Sequence, residues 1–160
     1  YIDCSFLAKG KYYMLVNGDN AEPAETLKKI INEIGSADII IPYFGELDKR
    51  KYSRKFTSIL FTFLVNLLSG LKIPYYNGPA IHLTYNVMRF SPDTHGYAYQ
   101  AELITRVIME KSSYKTVKII NSDREFGSSS AFTFRNILSV LHSLLQIFLR
   151  RLRNYLFYNN

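Results

Sequence analysis

Asp19 is the first side chain whose setting invites chemistry. A short apolar run, residues 12–16, stops at Asn17-Gly18-Asp19-Asn20, and Pro23 with a helical pattern follows at once. In open α/β sheets, ligands gather beyond the carboxyl ends of strands, where a carboxylate supplies the hard oxygen that divalent cations prefer. The same residues also build ordinary surface turns. A second candidate is Arg124-Glu-Phe-Gly127-Ser128-Ser129-Ser130. A glycine- and hydroxyl-rich turn feeding a helix presents free backbone N–H groups to an anion, and Arg124 adds a bidentate phosphate partner. A serine there also serves as a plain N-cap, worth about 1 kcal/mol.

Other chemistries find little support. His82, His95 and His142 are scattered, none at metal-ligand spacing with another ligand, and Gly-x-Ser-x-Gly, Gly-x-x-x-x-Gly-Lys and Cys-x-x-Cys are all missing. Cys4 is the single cysteine, so neither an internal disulfide nor a cysteine zinc cluster is possible. The formal charge of +7 directs attention to anionic partners: nucleic acid, an acidic membrane face or phosphorylated substrates. Nucleic-acid binding ranks low, because stacking platforms interleave aromatic with basic residues, whereas most of the Tyr and Phe residues here lie in apolar runs.

The elements that must position these residues follow from periodicity. At 160 residues and 48% hydrophobic composition, the chain suits one domain with a substantial core. Residues 12–16 read as a strand. Leu27, Ile30, Ile31 and Ile34 mark a helix from Ala24 that ends at Gly35, with Pro23 at its first position. Ile39-Ile40-Ile41 reads as a buried parallel strand, and strand, helix, strand within about thirty residues is a βαβ unit. The charged stretch 45–54 reads mostly as a solvated loop, able in part to close over an anionic site. Residues 53–69 form a long helix closed by Gly70, too short to span a bilayer and so buried or on a membrane surface.

Beyond the turn at 73–79 and a short apolar piece at 80–83, residues 97–110 read as a helix. It carries Ala101, Ile104 and Ile108 on one face and Glu102 four residues from Arg106. Residues 114–120 read as a strand, and the last helix runs from about 131 to 155. In that helix Ile137, Leu141, Leu144, Phe148 and Leu152 share one side, with Ser139, His142, Ser143, Gln146 and Arg150 on the other. Arg150, Arg151 and Arg153 crowd its end, suited to the helix dipole or to anionic lipid.

Five segments in order carry a resemblance. Val16-Asn-Gly-Asp-Asn-Ala-Glu-Pro resembles the Asp-x-Asp region of family 2 glycosyltransferases, in particular the dolichol-phosphate mannosyltransferase-like branch. Residues 54–66, from Arg54 to Asn66, are similar to its Arg-rich loop and helix, and Tyr75-Tyr76-Asn77-Gly78 to its glycine-ended turn. Gly96-Tyr-Ala-Tyr-Gln-Ala-Glu102 resembles a later catalytic-domain helix, and Arg124-x-x-Gly127-x-Ser129-x-Ala131 its Arg-x-x-Gly-x-Ser-Lys pattern.

The resemblance implies a GT-A fold: an α/β mixed sheet flanked by helices. The GT-A part would occupy residues 1–135, lacking strands that would precede Tyr1, and an amphipathic membrane-surface helix residues 136–160. It implies transfer of a sugar from a nucleotide-diphosphate donor to a polyprenyl- or dolichyl-phosphate-like acceptor, at the cytoplasmic face of a membrane. Asp19 would bind Mg²⁺ or Mn²⁺ and act in catalysis, with Glu102 orienting the acceptor or pairing with Arg106. Asn17, Arg54, Asn77, Gly78, Arg124, Gly127, Ser128 and Ser129 would line the donor and phosphate subsites.

Three positions depart from the pattern. Asn17 replaces the first Asp, Tyr76 or a neighbour stands where relatives carry an acidic residue, and Ser130 replaces Lys. Asn17 and Ser130 favour a rival reading, a degenerate relative that binds a membrane or a partner without turnover.

Overall fold

The computed structural model describes residues 2–16, 22–45, 48, 50–90, 96, 98–120 and 133–157. Six helices and four strands lie among these residues. In chain order they are α1 (Ile2–Leu7), β1 (Tyr12–Met14), α2 (Ala24–Ile31), β2 (Ile39–Tyr43), α3 (Tyr52–Ser69), β3 (Ile81–Leu83), α4 (Thr84–Arg89), α5 (Tyr99–Met109), β4 (Tyr114–Lys118) and α6 (Phe134–Phe157). The fold is α/β, and no helix among the described residues is long and apolar enough to cross a membrane.

The sheet is mixed, in the order β1-β3-β2-β4. β2 pairs in parallel with β4, as its run of three isoleucines suggests, while β3 is antiparallel to both β1 and β2. The βαβ expectation therefore holds in direction but not in adjacency: β1 and β2 point the same way, and β3 lies between them. The short piece at 80–83 is thus a central strand. Helix α4, unforeseen from periodicity, follows it directly and is tied back where Thr84 donates from its backbone N–H to Lys11 O (2.9 Å) and from its hydroxyl to Gly10 O (2.6 Å).

Alternation along β2 divides the apolar interior between the two sheet faces. Ile39 and Ile41 join Val65 of α3, Leu103, Ile104 and Val107 of α5, and Leu144 and Ile147 of α6. Ile40 and Ile81 join Ile30 of α2 and Val117 of β4 on the other side. The starts of β2 and β4 are clamped by Asp38, whose Oδ2 accepts from the Ser113 N–H and hydroxyl, both at 2.8 Å. Helix α3 ends where expected, at Gly70, which takes the left-handed conformation (φ +75°) that a C-terminal glycine adopts without side-chain strain.

Helix α6 turns the opposite way from its sequence pattern. Its buried residues are Ser143, Leu144, Ile147 and Arg150, while Ile137, Leu141, Phe148 and Leu152 face outward. Arg150 is drawn inward by a buried carboxylate, Glu102. Because i, i+4 and i+7 share a face, fixing Arg150 also carries Ser143 and Ile147 inward. Of the three arginines expected at the dipole or at lipid, Arg150 is thus buried, and Arg151 caps another helix by donating from Nη1 to Leu67 O (2.9 Å) at the end of α3. Arg153 is exposed.

Candidate functional site

Strand direction selects one edge of the sheet. β1, β2 and β4 all end there, and β3 begins there. Val16, Phe44 and Ile120, and the turn before Ile81, therefore share that edge. Outermost strands β1 and β4 are separated by about 14 Å, three strand spacings. Helix α2 starts at this edge too, since the Thr26 hydroxyl donates to Ile120 O (2.7 Å).

The turn before β3 is built for close approach. A Cβ on Gly78 would lie 2.9 Å from Pro42 Cγ and 3.1 Å from Pro42 O, so only glycine lets the turn pass so near β2. Gly78 O accepts from Gln100 Nε2 (2.9 Å), which brings the amino end of α5 to the same place. Asn66 shapes the approach to this turn. Its Nδ2 donates to Ile73 O (2.8 Å), and its Oδ1 accepts from Ile73 N (3.0 Å) and Tyr76 Oη (2.7 Å). Tyr76 is fully buried, and burial drives its phenol well above the ordinary range. The Tyr76 side chain fills the core and anchors the turn.

Beside the turn, where β2 ends, lies a cluster that sequence reading passed over. Arg50 Nη2 meets Asp48 Oδ2 at 2.7 Å, and Arg50 Nε meets Asp48 Oδ1 at 2.9 Å. Nη1 donates to Tyr75 Oη (3.2 Å), and the guanidinium lies over the Phe44 and Tyr75 rings, 4.6 Å and 5.3 Å from their centroids. Burial opposes charge on the Asp48 carboxyl, but the Arg50 hydrogen bonds and charge outweigh it and hold the carboxyl below its usual range. The Tyr75 phenol is pushed up by burial. The side chains of Asp48 and Arg50 are only 13% and 15% exposed, so the expectation of a solvated charged loop fails for both. The signal was present in Phe44 and Tyr75, because an aromatic pair flanking an arginine favours stacking over solvation. The rings come together only in the fold.

These residues border a cavity of about 530 Å³ between the end of β2 and α3. Lys55, Ser58 and Thr62 line its polar side, and Ile59 and Phe63 its apolar side. Lys118, at the end of β4, lies across Gly45. The site thus combines cations, hydroxyls and an apolar wall at the sheet edge where ligands collect.

The expected site residues separate into three groups. Asn77 and Gly78 sit at the shared edge. Arg54 is in the first turn of α3, half-buried and engaged, while its neighbour Lys55 is the one that lines the cavity. Glu102 is fully buried in the first turn of α5, where its Oε1 accepts from Arg150 Nη2 (3.2 Å). Asn17, Asp19, Arg124, Gly127, Ser128 and Ser129 lie outside the described residues. Among the described residues, no three His, Cys, Asp or Glu side chains converge on a point that could hold a metal ion. No family model matches the chain, and no curated protein matches it significantly.

Proposed function

We propose that the chain belongs to a GT-A-type glycosyltransferase that moves a sugar from a nucleotide-diphosphate donor to a lipid-phosphate acceptor. One observation supports the reading: the described residues that border or belong to four of the five segments on which the resemblance rests, Val16, Gly78, Gln100 and Ile120, lie toward one sheet edge. Val16, just before the segment holding Asp19, follows β1, Ile120, just before the one holding Arg124, follows β4, Asn77–Gly78 leads into β3, and Gln100 of α5 is hydrogen-bonded to Gly78. That edge is also where an open α/β sheet receives its ligand.

In this reading an acceptor phosphate oxygen bonds to the anomeric carbon of the sugar. The bond from that carbon to the donor diphosphate breaks, and the nucleoside diphosphate leaves. An acceptor phosphate is already anionic, so no strong base is required. Arg124 and the Gly127–Ser129 turn hold phosphate oxygens, a charge-positioning role. Asp19 is the carboxylate that would hold Mg²⁺ or Mn²⁺, which when bound would offset the diphosphate's charge. Glu102, engaged with Arg150, acts by keeping the amino end of α5 in place.

Thermal unfolding with Mn²⁺ and each common nucleoside diphosphate tests the proposal. The expected result is a rise in Tm with at least one nucleotide, lost in Asp19→Ala. Stabilisation that survives Asp19→Ala overturns the metal assignment, and no response to any nucleotide overturns the donor. Nucleotide binding without sugar transfer to polyprenyl phosphate would leave the rival reading, a non-catalytic binding module.

A further inference from the structure

Helices α3 and α6 pack against each other, and both bury their inner residues in the same core. Their outer sides carry an unusual load of large apolar side chains. On α3 these are Phe56, Ile59, Leu60, Phe63 and Leu67, recurring at helical spacing, and Phe63 is 59% exposed. On α6 Leu141, Leu145, Phe148, Leu152 and Leu156 do the same, and Leu141 is 56% exposed. Contiguous exposed apolar surface on this scale marks an interaction site.

Charge identifies the occupant. Neither helix contains an Asp or Glu, and with Arg150 and Arg151 held within the fold the cations left toward the outside are Lys55 in α3 and the exposed Arg135 and Arg153 in α6. Two copies meeting through this face would oppose cations with cations and supply no carboxylate to either. An anionic bilayer supplies both an apolar layer for the rings and negative headgroups for the cations. Neither helix is long and apolar enough to cross a membrane.

We propose that the outer faces of α3 and α6 form one docking surface for an anionic lipid bilayer. Aromatic and leucine side chains enter the headgroup boundary, while the exposed Arg135 and Arg153 meet lipid phosphates. The proposal stands apart from sugar transfer but bears on it. Ile59 and Phe63 belong both to this face and to the wall of the cavity beside Arg50. A bilayer seated here therefore meets the mouth of that cavity, and a lipid phosphate would reach Lys55 without leaving the membrane.

Vesicle flotation tests the surface. The full chain is expected to float with phosphatidylcholine vesicles that contain phosphatidylglycerol, and about ten-fold less with pure phosphatidylcholine. The triple variant F63Q/L141Q/F148Q changes only outward positions, and its thermal unfolding shows whether it is folded. Its flotation is expected to fall by about ten-fold or more. Arg135→Gln and Arg153→Gln are each expected to lose about five-fold on anionic vesicles alone.

The chain contains no tryptophan, so F148W supplies a single reporter. Its emission is expected to shift to the blue with anionic vesicles, whereas Y85W on α4 does not shift. An unaltered spectrum for F148W, no flotation of the wild-type chain, or flotation unchanged in the triple variant overturns the proposal. So does a concentration-dependent dimer that the triple variant dissolves in the absence of any flotation. Nucleotide binding is a separate readout, so failure here leaves the donor-site reading to its own test.

Discussion

Two arginine–carboxylate pairs occupy opposite roles in this molecule. Glu102 and Arg150 are 0% and 8% exposed and meet through a contact of 3.2 Å between α5 and α6. Asp48 and Arg50 are slightly more accessible, share several contacts of 2.7–3.1 Å, and have two aromatic rings against the guanidinium. The first pair joins two helices deep in the core and decides which side of α6 faces inward. The second sits at the cavity where the sheet's strands end. Burial of a charge pair therefore says little about function until its place relative to the sheet is known. One pair is locked between helices, and the other borders a cavity at the end of β2.

The largest effect should come from the core pair. Arg150→Ala leaves Glu102 buried without this partner and is expected to cost about 3–5 kcal/mol in urea unfolding. The double variant Glu102→Leu/Arg150→Met should recover most of that loss. A cost for Arg150→Ala below that of any surface substitution would remove the contrast between the two pairs.

Next in size is a polar group that has neither kind of pairing. His82, in the central strand β3, is fully buried, and neither ring nitrogen has a hydrogen-bond partner among the described residues. Burial pulls its pKa down from 6.5 to about 4. The unfolded chain therefore binds the extra proton first, so stability is complete above pH 6.5 and falls as the pH drops toward 4. The loss should reach about 3 kcal/mol by pH 4. His82→Leu should flatten that part of the profile, and a slope left unchanged by the substitution would show that other groups set it.

The smallest effect on stability belongs to the pair beside the cavity. Asp48→Asn keeps the shape and loses the charge, for a cost of about 1–2 kcal/mol. Because Arg50 holds the Asp48 carboxyl down, this contribution is present above the ordinary carboxylate value of 3.8 and disappears only as the pH falls below it. The two acid windows thus separate His82 from Asp48. The same variant should change nucleotide-induced stabilisation, whereas the Glu102→Leu/Arg150→Met variant should not. Equal responses from both would collapse the distinction.

Much of the layout was legible before the fold was known. Gly70 ends α3 because a glycine after a long apolar helix takes the left-handed conformation without strain. Three consecutive isoleucines mark β2 because only a strand covered on both faces accepts them. Asn77 and Gly78 were recognisable as turn residues, and the turn lies close against β2. Less visible were pairings between residues far apart in sequence. Asp48 and Arg50 looked like loop charges until Phe44 and Tyr75 closed over them. Glu102 suggested a pairing with Arg106, four residues away, but nothing local announced Arg150, which meets it from forty-eight residues on.

By itself the sequence determined the longer elements, their order and the polarity of their turns, though not the six-residue helices α1 and α4, because helix and strand periods, glycine and proline act over a few residues. It also carried the basic charge and the apolar load of α3 and α6. Only the tertiary structure decided that β3 lies between β1 and β2 and that α6 presents its leucines outward. It also decided which strand ends share an edge. Each of these depends on which surfaces meet across long loops, and a buried charge such as Glu102 can outweigh an amphipathic pattern when it selects the residue that must face it.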